Sequence, residues 1–253
     1  MKKVILLSVI VVLLIAGFAF QPNFQKKASF QPVAVIELFT SQGCSSCPSA
    51  DKLLAQTINE AKKDGRNVFA LSFHVDYWNR LGWADPFSAK EFSQRQNTYA
   101  SQMNLNGVYT PQMVVNGSTQ FVGSDEHDLK TALDKSLSII PLVSFKTLSV
   151  NLQNNAPPQV KFSLDGMYAN CNINFALVSL SETTSIKRGE NGGLTLTNEN
   201  VVRQFISIPA VAESEINFKA SPVPAGNNMA IVVYLQQNSN LKIIGAAMAE
   251  IKK

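Results

Sequence analysis

The stretch that decides the fold covers residues 33–48 and reads VAVIELFTSQGCSSCP. Its first half, 33–39, is apolar on both faces apart from Glu37, a pattern typical of a central parallel strand covered by helices. Cys44 and Cys47 follow with two serines between them, and the proline directly after them suits the first turn of a helix. The sequence therefore predicts a cysteine pair at the point where a strand gives way to a helix.

The segments after the cysteine pair complete a strand–helix–strand unit. Residues 48–63 repeat apolar side chains at a helical spacing, and residues 67–74 form a second apolar run. This order is typical of a parallel β-α-β unit, because parallel strands need a crossover of that length. Further along, the patterns predict a helix over 87–103, short strands over 112–116 and 119–122 joined by an Asn-Gly-Ser turn, and a helix from 124 to about 138.

From residue 140 onward the periodicity becomes that of strands. Residues 170–177 alternate between an apolar face, formed by Cys171, Ile173, Phe175 and Leu177, and a face that carries Asn170, Asn172 and Asn174. Similar runs follow between Pro, Gly and Asn clusters. We therefore predict an α/β domain over residues 32–139, followed by a small antiparallel β-sandwich-like domain over residues 140–253. Cys171 falls on the apolar face and is expected to be a buried, unreactive thiol.

The N-terminal residues predict export from the cytoplasm. In residues 1–22 two lysines precede an apolar run without charge, which indicates a signal peptide or a short membrane anchor. Because a helix needs about 20 apolar residues to span the hydrocarbon core, cleavage is the favoured outcome and a membrane tether is the alternative. Residues 23–31 form a linker. The folded part is expected in the periplasm or outside the cell, where disulfides persist.

Composition excludes a nucleic-acid partner. The formal net charge of +4 includes two lysines of the export segment, and the charged residues, 16% of the chain, are scattered singly or in pairs. No basic stripe alternates with aromatic residues, as nucleic-acid binding requires. An apolar fraction of 45% is ordinary for a globular protein.

The cysteine pair carries the predicted chemistry. Unpaired N–H groups and the dipole at a helix N-terminus favour a thiolate, which makes Cys44 the predicted nucleophile. Cys47, one turn further along, would attack the resulting mixed disulfide and release the partner. The sequence therefore predicts a thiol-disulfide oxidoreductase that acts on protein or small-molecule thiols and disulfides and needs no cofactor beyond its own redox-active disulfide.

Four segments strengthen this prediction through a resemblance. Residues 37–48, 72–78, 110–117 and 189–193 together resemble a family of secreted bacterial thioredoxin-like proteins catalogued as a domain of unknown function. The resemblance covers nearly the whole chain after the linker. It implies a thioredoxin-like fold and a Cys-x-x-Cys site, and it implies no particular substrate.

The same resemblance assigns roles to three further residues. In thioredoxin-like proteins the proline at the place of Pro111 is cis and lies against the cysteine pair, and the residue before it, here Thr110, offers backbone hydrogen bonds to an extended substrate. Glu37 lies at nearly the spacing of the buried acid that accepts a proton from the resolving cysteine, although the acid is Glu rather than Asp. We expect both sulfurs to face solvent with Pro111 beside them.

Two other interpretations of the cysteine pair stay open. One is an inert disulfide that staples a loop. The other is a copper or zinc site formed by Cys44, Cys47 and His74, because His74 ends the neighbouring strand at the same sheet edge. Either would make the chain a non-catalytic metal-binding or partner-binding module. His74 also has two simpler roles open to it, the tuning of the thiols and an ordinary loop hydrogen bond.

An aromatic loop follows His74. Tyr77, Trp78 and Trp83 are predicted to form an apolar rim that receives a peptide substrate, with packing beneath a long loop as the alternative. Farther along, Glu190, Asn191 and Arg203 reach the cysteine pair only if the β-rich part folds back over it, and no spacing in the sequence requires that.

Overall fold

The computed structural model describes residues 30–151, 157–219 and 228–251. The predicted export segment, 1–22, and most of the predicted linker lie outside these residues. Within the described ranges, none of the helices combines the length and the apolar character that crossing a membrane requires.

The first half of the chain is built around two parallel strands. β1 (Ala34–Thr40) and β2 (Val68–His74) pair in parallel and are joined by α1 (Cys47–Lys63), which confirms the predicted β-α-β unit. β3 (Gln112–Val115) pairs antiparallel with the other edge of β1 and with β4 (Thr119–Val122). The remaining elements of this half are a 3₁₀ turn at Asn79–Leu81, α2 (Lys90–Gln102) and α3 (Glu126–Leu137).

The second half consists of strands. They are β5 (Val143–Asn151), β6 (Gln159–Gly166), β7 (Cys171–Ser185), β8 (Thr195–Pro209), β9 (Glu213–Asn217), β10 (Met229–Gln237) and β11 (Ile243–Ile251). Eight strands form one sheet in the order β11-β10-β7-β8-β2-β1-β3-β4, and β5, β6 and β9 form a second sheet of three strands.

The shared sheet corrects the prediction of a self-contained sandwich after residue 139. β8 runs parallel to β2, with Val201 opposite Ser72, so the two halves meet inside one sheet. The Ser72 hydroxyl donates to the Glu199 carbonyl at 2.7 Å, and the Asn200 amide donates to the Ala70 carbonyl at 3.0 Å. The edge of β2 would otherwise leave backbone groups unpaired, and β8 supplies their partners.

Three apolar cores hold these layers together. One lies between the sheet and the helices α1 and α3 and includes Leu38 and Leu54. A second lies on the opposite face of β1, around Phe39 and α2. The third fills the space between the small sheet and the outer strands of the large one. Cys171 belongs to this third core and is 4% exposed, as predicted, and burial raises the pKa of its thiol.

Candidate functional site

The cysteine pair lies where the sequence predicts it, at the start of α1. Cys44 and Cys47 form a disulfide with their Cα atoms 5.4 Å apart, and Cys47 is the first residue of the helix. The turn before the helix is held by two backbone hydrogen bonds, from the Cys44 N–H to the Ser41 carbonyl at 3.1 Å and from the Cys47 N–H to the Cys44 carbonyl at 3.2 Å.

The expectation that both sulfurs face solvent is wrong. Cys44 is 1% exposed and Cys47 is fully buried. Only the two residues between them, Ser45 and Ser46, are exposed. The disulfide is therefore covered, and an exchange partner reaches it only after part of the cover moves.

Pro111 lies beside the pair, as expected. The Thr110–Pro111 peptide bond is cis. The carbonyl oxygen of Thr110 is 3.9 Å from the sulfur of Cys44, and the Ser46 hydroxyl is 3.3 Å from the same sulfur. Thr110 and Pro111 thus form one wall of the site.

The aromatic loop after β2 forms a second wall. The Trp78 indole N–H donates to the Thr110 hydroxyl at 2.7 Å, and the Trp83 indole N–H donates to the Gln42 side chain at 3.2 Å. Tyr77 instead turns inward and donates to the Gln96 side chain at 3.2 Å. Of the three residues predicted to line a substrate rim, Trp78 and Trp83 therefore border the site, whereas Tyr77 packs against α2.

The loop between β7 and β8 covers the cysteine pair by contacting residues 42–45. We call residues 187–194 the capping loop. The Asn191 side-chain amide donates to the carbonyls of Gln42 and Cys44, each at 2.9 Å, and the Glu190 carboxylate accepts the Ser45 N–H at 3.0 Å. Hydrogen bonds from Ser45 lower the pKa of Glu190. The β-rich part thus folds back over the site, which the sequence left open.

Glu37 does not serve the cysteines, and this corrects its predicted role. Alternation along β1 turns Glu37 toward α2, whereas the cysteine-bearing α1 packs on the other face. Its carboxylate accepts two hydrogen bonds from Arg95, at 2.7 and 2.9 Å, and one from Tyr234 at 2.7 Å. Burial opposes the Arg95 charge, but the Glu37 carboxylate raises the pKa of Arg95 well above its ordinary value.

A different acid shares a face of helix α1 with Cys47. Asp51 is one turn after Cys47 on α1, is 6% exposed and accepts a hydrogen bond from the Thr40 hydroxyl at 3.0 Å. Burial raises the pKa of Asp51 to about 6, although the nearby His74 and the Thr40 hydrogen bond lower it. The sequence analysis missed Asp51. The helical spacing contains a signal that could have found it. Asp51 lies one turn after Cys47 and three residues before the buried Leu54, so it falls on the buried face of the helix.

His74 completes the polar cluster behind the pair. Its Nδ1 atom lies 2.7 Å from Oδ2 of Asp85. Burial disfavours the charged imidazole, but the Asp85 carboxylate outweighs it and raises the pKa of His74. Burial likewise disfavours the Asp85 charge, and His74 outweighs it and lowers the pKa of Asp85. Nε2 of His74 is buried and has no hydrogen-bond partner among the described residues.

With the disulfide formed, the cysteine sulfurs are not free to bind a metal ion, because they are bonded to each other. His74 contacts Asp85 through Nδ1, which leaves its Nε2 atom without a hydrogen-bond partner among the described residues. In the part of the chain that the structure describes, no three side chains of the types His, Cys, Asp and Glu are grouped to hold a metal ion. Arg203, which the sequence brings to the cysteine pair only if the β-rich part folds back, forms an ion pair with Glu182 at 3.0 Å.

Comparison with known proteins identifies relatives of the whole fold. The crystal structure of protein AGR_C_4864 from Agrobacterium tumefaciens matches with a TM-score of 0.64 and 26% identity over 88% of this chain and 99% of that one. HBP35 of Porphyromonas gingivalis matches with a TM-score of 0.65 and 15% identity over 90% of this chain and 77% of that one. No curated protein sequence matches. The family model described as "Protein of unknown function (DUF1223)" matches residues 35–236, and the chain belongs to that family.

Proposed function

We propose that this chain is an exported thiol-disulfide oxidoreductase acting on protein or small-molecule thiols and disulfides. The observation that carries the proposal is the disulfide at the start of α1, with the Thr110 carbonyl 3.9 Å from the Cys44 sulfur. A helix start stabilises the thiolate that exchange chemistry needs, and the Thr110 backbone lies where a partner bound to that sulfur would meet it.

The proposal includes a thioredoxin-like arrangement of residues 32–139. It is supported by the parallel β1-α1-β2 unit, by the antiparallel β3–β4 hairpin on the other side of β1, and by Pro111 immediately before β3. Export is proposed from residues 1–22, whose positive start and apolar run are typical of a leader. An extracytoplasmic site would keep the pair available as a disulfide.

The chemistry balances as a two-electron exchange. In the reduced protein the Cys44 thiolate attacks one sulfur of a partner disulfide, whose S–S bond breaks and whose other sulfur leaves as a thiolate that takes up a proton. The Cys47 thiol then loses its proton and attacks the Cys44 sulfur, which forms the Cys44–Cys47 disulfide and frees the second partner sulfur as a thiol. The partner gains two electrons and two protons. Both electrons come from the cysteine pair, one proton comes from Cys47, and the other is the proton that Cys44 gave to solvent when it ionised. With a dithiol partner the same steps run in reverse.

Asp51 is the carboxyl group that we propose for the proton of Cys47. It lies one turn along α1 from Cys47, and with a pKa of about 6 it exchanges protons near neutral pH. We therefore propose Asp51, rather than Glu37, as the acceptor of the Cys47 proton. Asp51 belongs to α1 and lies on the face of β1 that α1 covers, whereas Glu37 lies on the opposite face.

The test is catalysed reduction of a model disulfide with dithiothreitol as electron donor. We expect Cys44→Ser to abolish turnover and Cys47→Ser to accumulate a mixed disulfide with the partner. Cys171→Ala, in the third core, is the matched control and should retain turnover. Turnover in Cys44→Ser equal to that of the unaltered protein would overturn the proposal. A Cys44–Cys47 disulfide that resists reduction in the folded protein would favour the inert staple instead.

A further inference from the structure

The capping loop is the part of the molecule whose contacts the proposed function leaves unexplained. It is the end of the β7–β8 hairpin, closed by hydrogen bonds from the Ile186 N–H to the Leu194 carbonyl at 2.8 Å and from the Gly193 N–H to the Ile186 carbonyl at 2.9 Å. A hairpin of this kind needs no contact outside itself. Yet its tip makes three hydrogen bonds to residues 42–45.

These contacts account for the burial of the Cys44 loop. Asn191 is 3% exposed and uses both side-chain N–H groups on the carbonyls of Gln42 and Cys44. On the far side the capping loop meets the aromatic loop, where a Cβ added at Gly189 would lie 3.2 Å from the Cβ of Trp83. Two loops from different halves of the chain thus close over one disulfide.

Charge makes this closure sensitive to the state of Cys44. The Glu190 carboxylate accepts the Ser45 N–H at 3.0 Å, at the helix start that would stabilise a Cys44 thiolate. When the disulfide is formed, it carries no charge, so the Glu190 carboxylate is the only one of the two groups that interacts with the helix start as an anion. After reduction, two negative charges compete for one helix start, which weakens the contact of the capping loop.

We propose that Glu190 and Asn191 are positioning residues that gate access to Cys44, and that the gate opens when the disulfide is reduced. This rests on the proposed function for its purpose, because an open loop over the reduced pair admits a partner disulfide to the Cys44 thiolate. By linkage the coupling is mutual, so the negative charge of Glu190 also disfavours the Cys44 thiolate. The other charged groups behind the pair are Asp51 from α1, His74 from β2 and Asp85 from the aromatic loop.

The first experiment measures how fast dithiothreitol reduces the protein's own disulfide. The reductant loses two electrons and two protons and becomes a cyclic disulfide, while the Cys44–Cys47 bond breaks to two thiols. Trp78 and Trp83 are the only tryptophans of the chain, so intrinsic fluorescence follows the reaction. We expect Asn191→Ala, which removes two hydrogen bonds, to accelerate reduction about tenfold. Arg188→Gln, at an exposed position of the same loop, is the control and should react like the unaltered protein.

The second experiment separates a gate from a merely structural contact. Glu190→Gln keeps the hydrogen-bond acceptor and removes the charge, so we expect the pH profile of Cys44 alkylation in the reduced protein to shift down by about half a unit. In the unaltered protein, amide hydrogen exchange across residues 187–194 should be slower with the disulfide formed than after reduction. Equal exchange in the two states, or a Glu190→Gln profile that does not shift, would overturn the gate. Neither readout requires turnover of a partner, so the gate and the proposed function fail separately.

Discussion

Nδ1 of His74 lies 2.7 Å from Oδ2 of Asp85, and neither side chain is exposed. The same Asp85 oxygen accepts the Gln42 N–H at 2.8 Å. One buried carboxylate therefore ties the end of β2 to the loop that carries Cys44. The position of the cysteine loop depends on this ion pair as well as on helix α1.

We expect Asp85→Asn to destabilise the protein by about 3 kcal/mol near pH 5, because it leaves a buried imidazolium without its partner. The pKa of Asp85 is lowered, so its contribution is present above its ordinary value of 3.8 and is lost as pH falls through the lowered one. The pKa of His74 is raised, so its contribution is present below its ordinary value of 6.5 and is lost as pH rises through the raised one. The loss of stability in Asp85→Asn should therefore be largest between pH 3.8 and pH 6.5, the ordinary pKa values of the two groups.

Urea unfolding of the Asp85→Asn variant near pH 5 and near pH 9 measures this dependence. Asp134→Asn, at an exposed position of α3, is the control and should change stability little at either pH. A loss of the same size at both pH values would show that the ion pair is not its cause.

Asp51→Asn should stabilise the protein at high pH. The raised pKa of about 6 means that the folded state holds its proton more tightly than the unfolded state, so stability falls as pH rises from 3.8 through 6. Asn keeps the acceptor for the Thr40 hydroxyl and removes that cost, a gain of up to about 3 kcal/mol near pH 8 that vanishes near pH 3. Under the proposed function the same variant loses turnover of a model disulfide. Unfolding and turnover measured on one preparation separate the two effects, and a loss of stability at pH 8 would contradict the assignment.

Arg95→Met should cost about 3 to 5 kcal/mol, because it leaves the Glu37 carboxylate buried without its partner. The double variant Glu37→Gln with Arg95→Met should recover part of that loss, which denaturant unfolding measures as a coupling between the two positions. Because Glu37 faces α2, disulfide turnover per folded molecule should stay unchanged in the double variant. A large loss of turnover there would restore Glu37 as the proton acceptor.

Gly189→Ala and Gly193→Ala form a matched pair in the capping loop. Both glycines have positive φ, +80° and +89°, so each alanine carries a backbone cost of about 1 kcal/mol. Only the Cβ at position 189 meets a neighbour, the Cβ of Trp83 at 3.2 Å. We expect Gly189→Ala to lose more stability than Gly193→Ala and to change the tryptophan fluorescence of the folded protein. Identical unfolding curves for the two variants would argue against close packing of the two loops.

Patterns local in the chain were sufficient for much of the fold. The apolar run before Cys44, the helical stripe after it and the second apolar run predict the β1-α1-β2 unit, because the period of burial differs between strands and helices. The position of Pro111 beside the pair was also expected, from the resemblance. The alternation of residues 171–177 predicted the buried side of β7 and hence the burial of Cys171.

Contacts between distant segments decided the rest. Side chains alternate between the two faces of β1, and this alternation turns Glu37 toward α2, away from the cysteines. Asp51 is therefore the acid on the cysteine side. The number of residues between an acid and a cysteine does not reveal which face the acid occupies. The joining of β8 to β2 merged two predicted domains into one sheet, since open strand edges are paired by whichever strand reaches them in space. That joining also carries Asn191 across 147 residues to the Cys44 carbonyl and buries the disulfide, because hydrogen bonding depends on distance in the fold rather than along the chain.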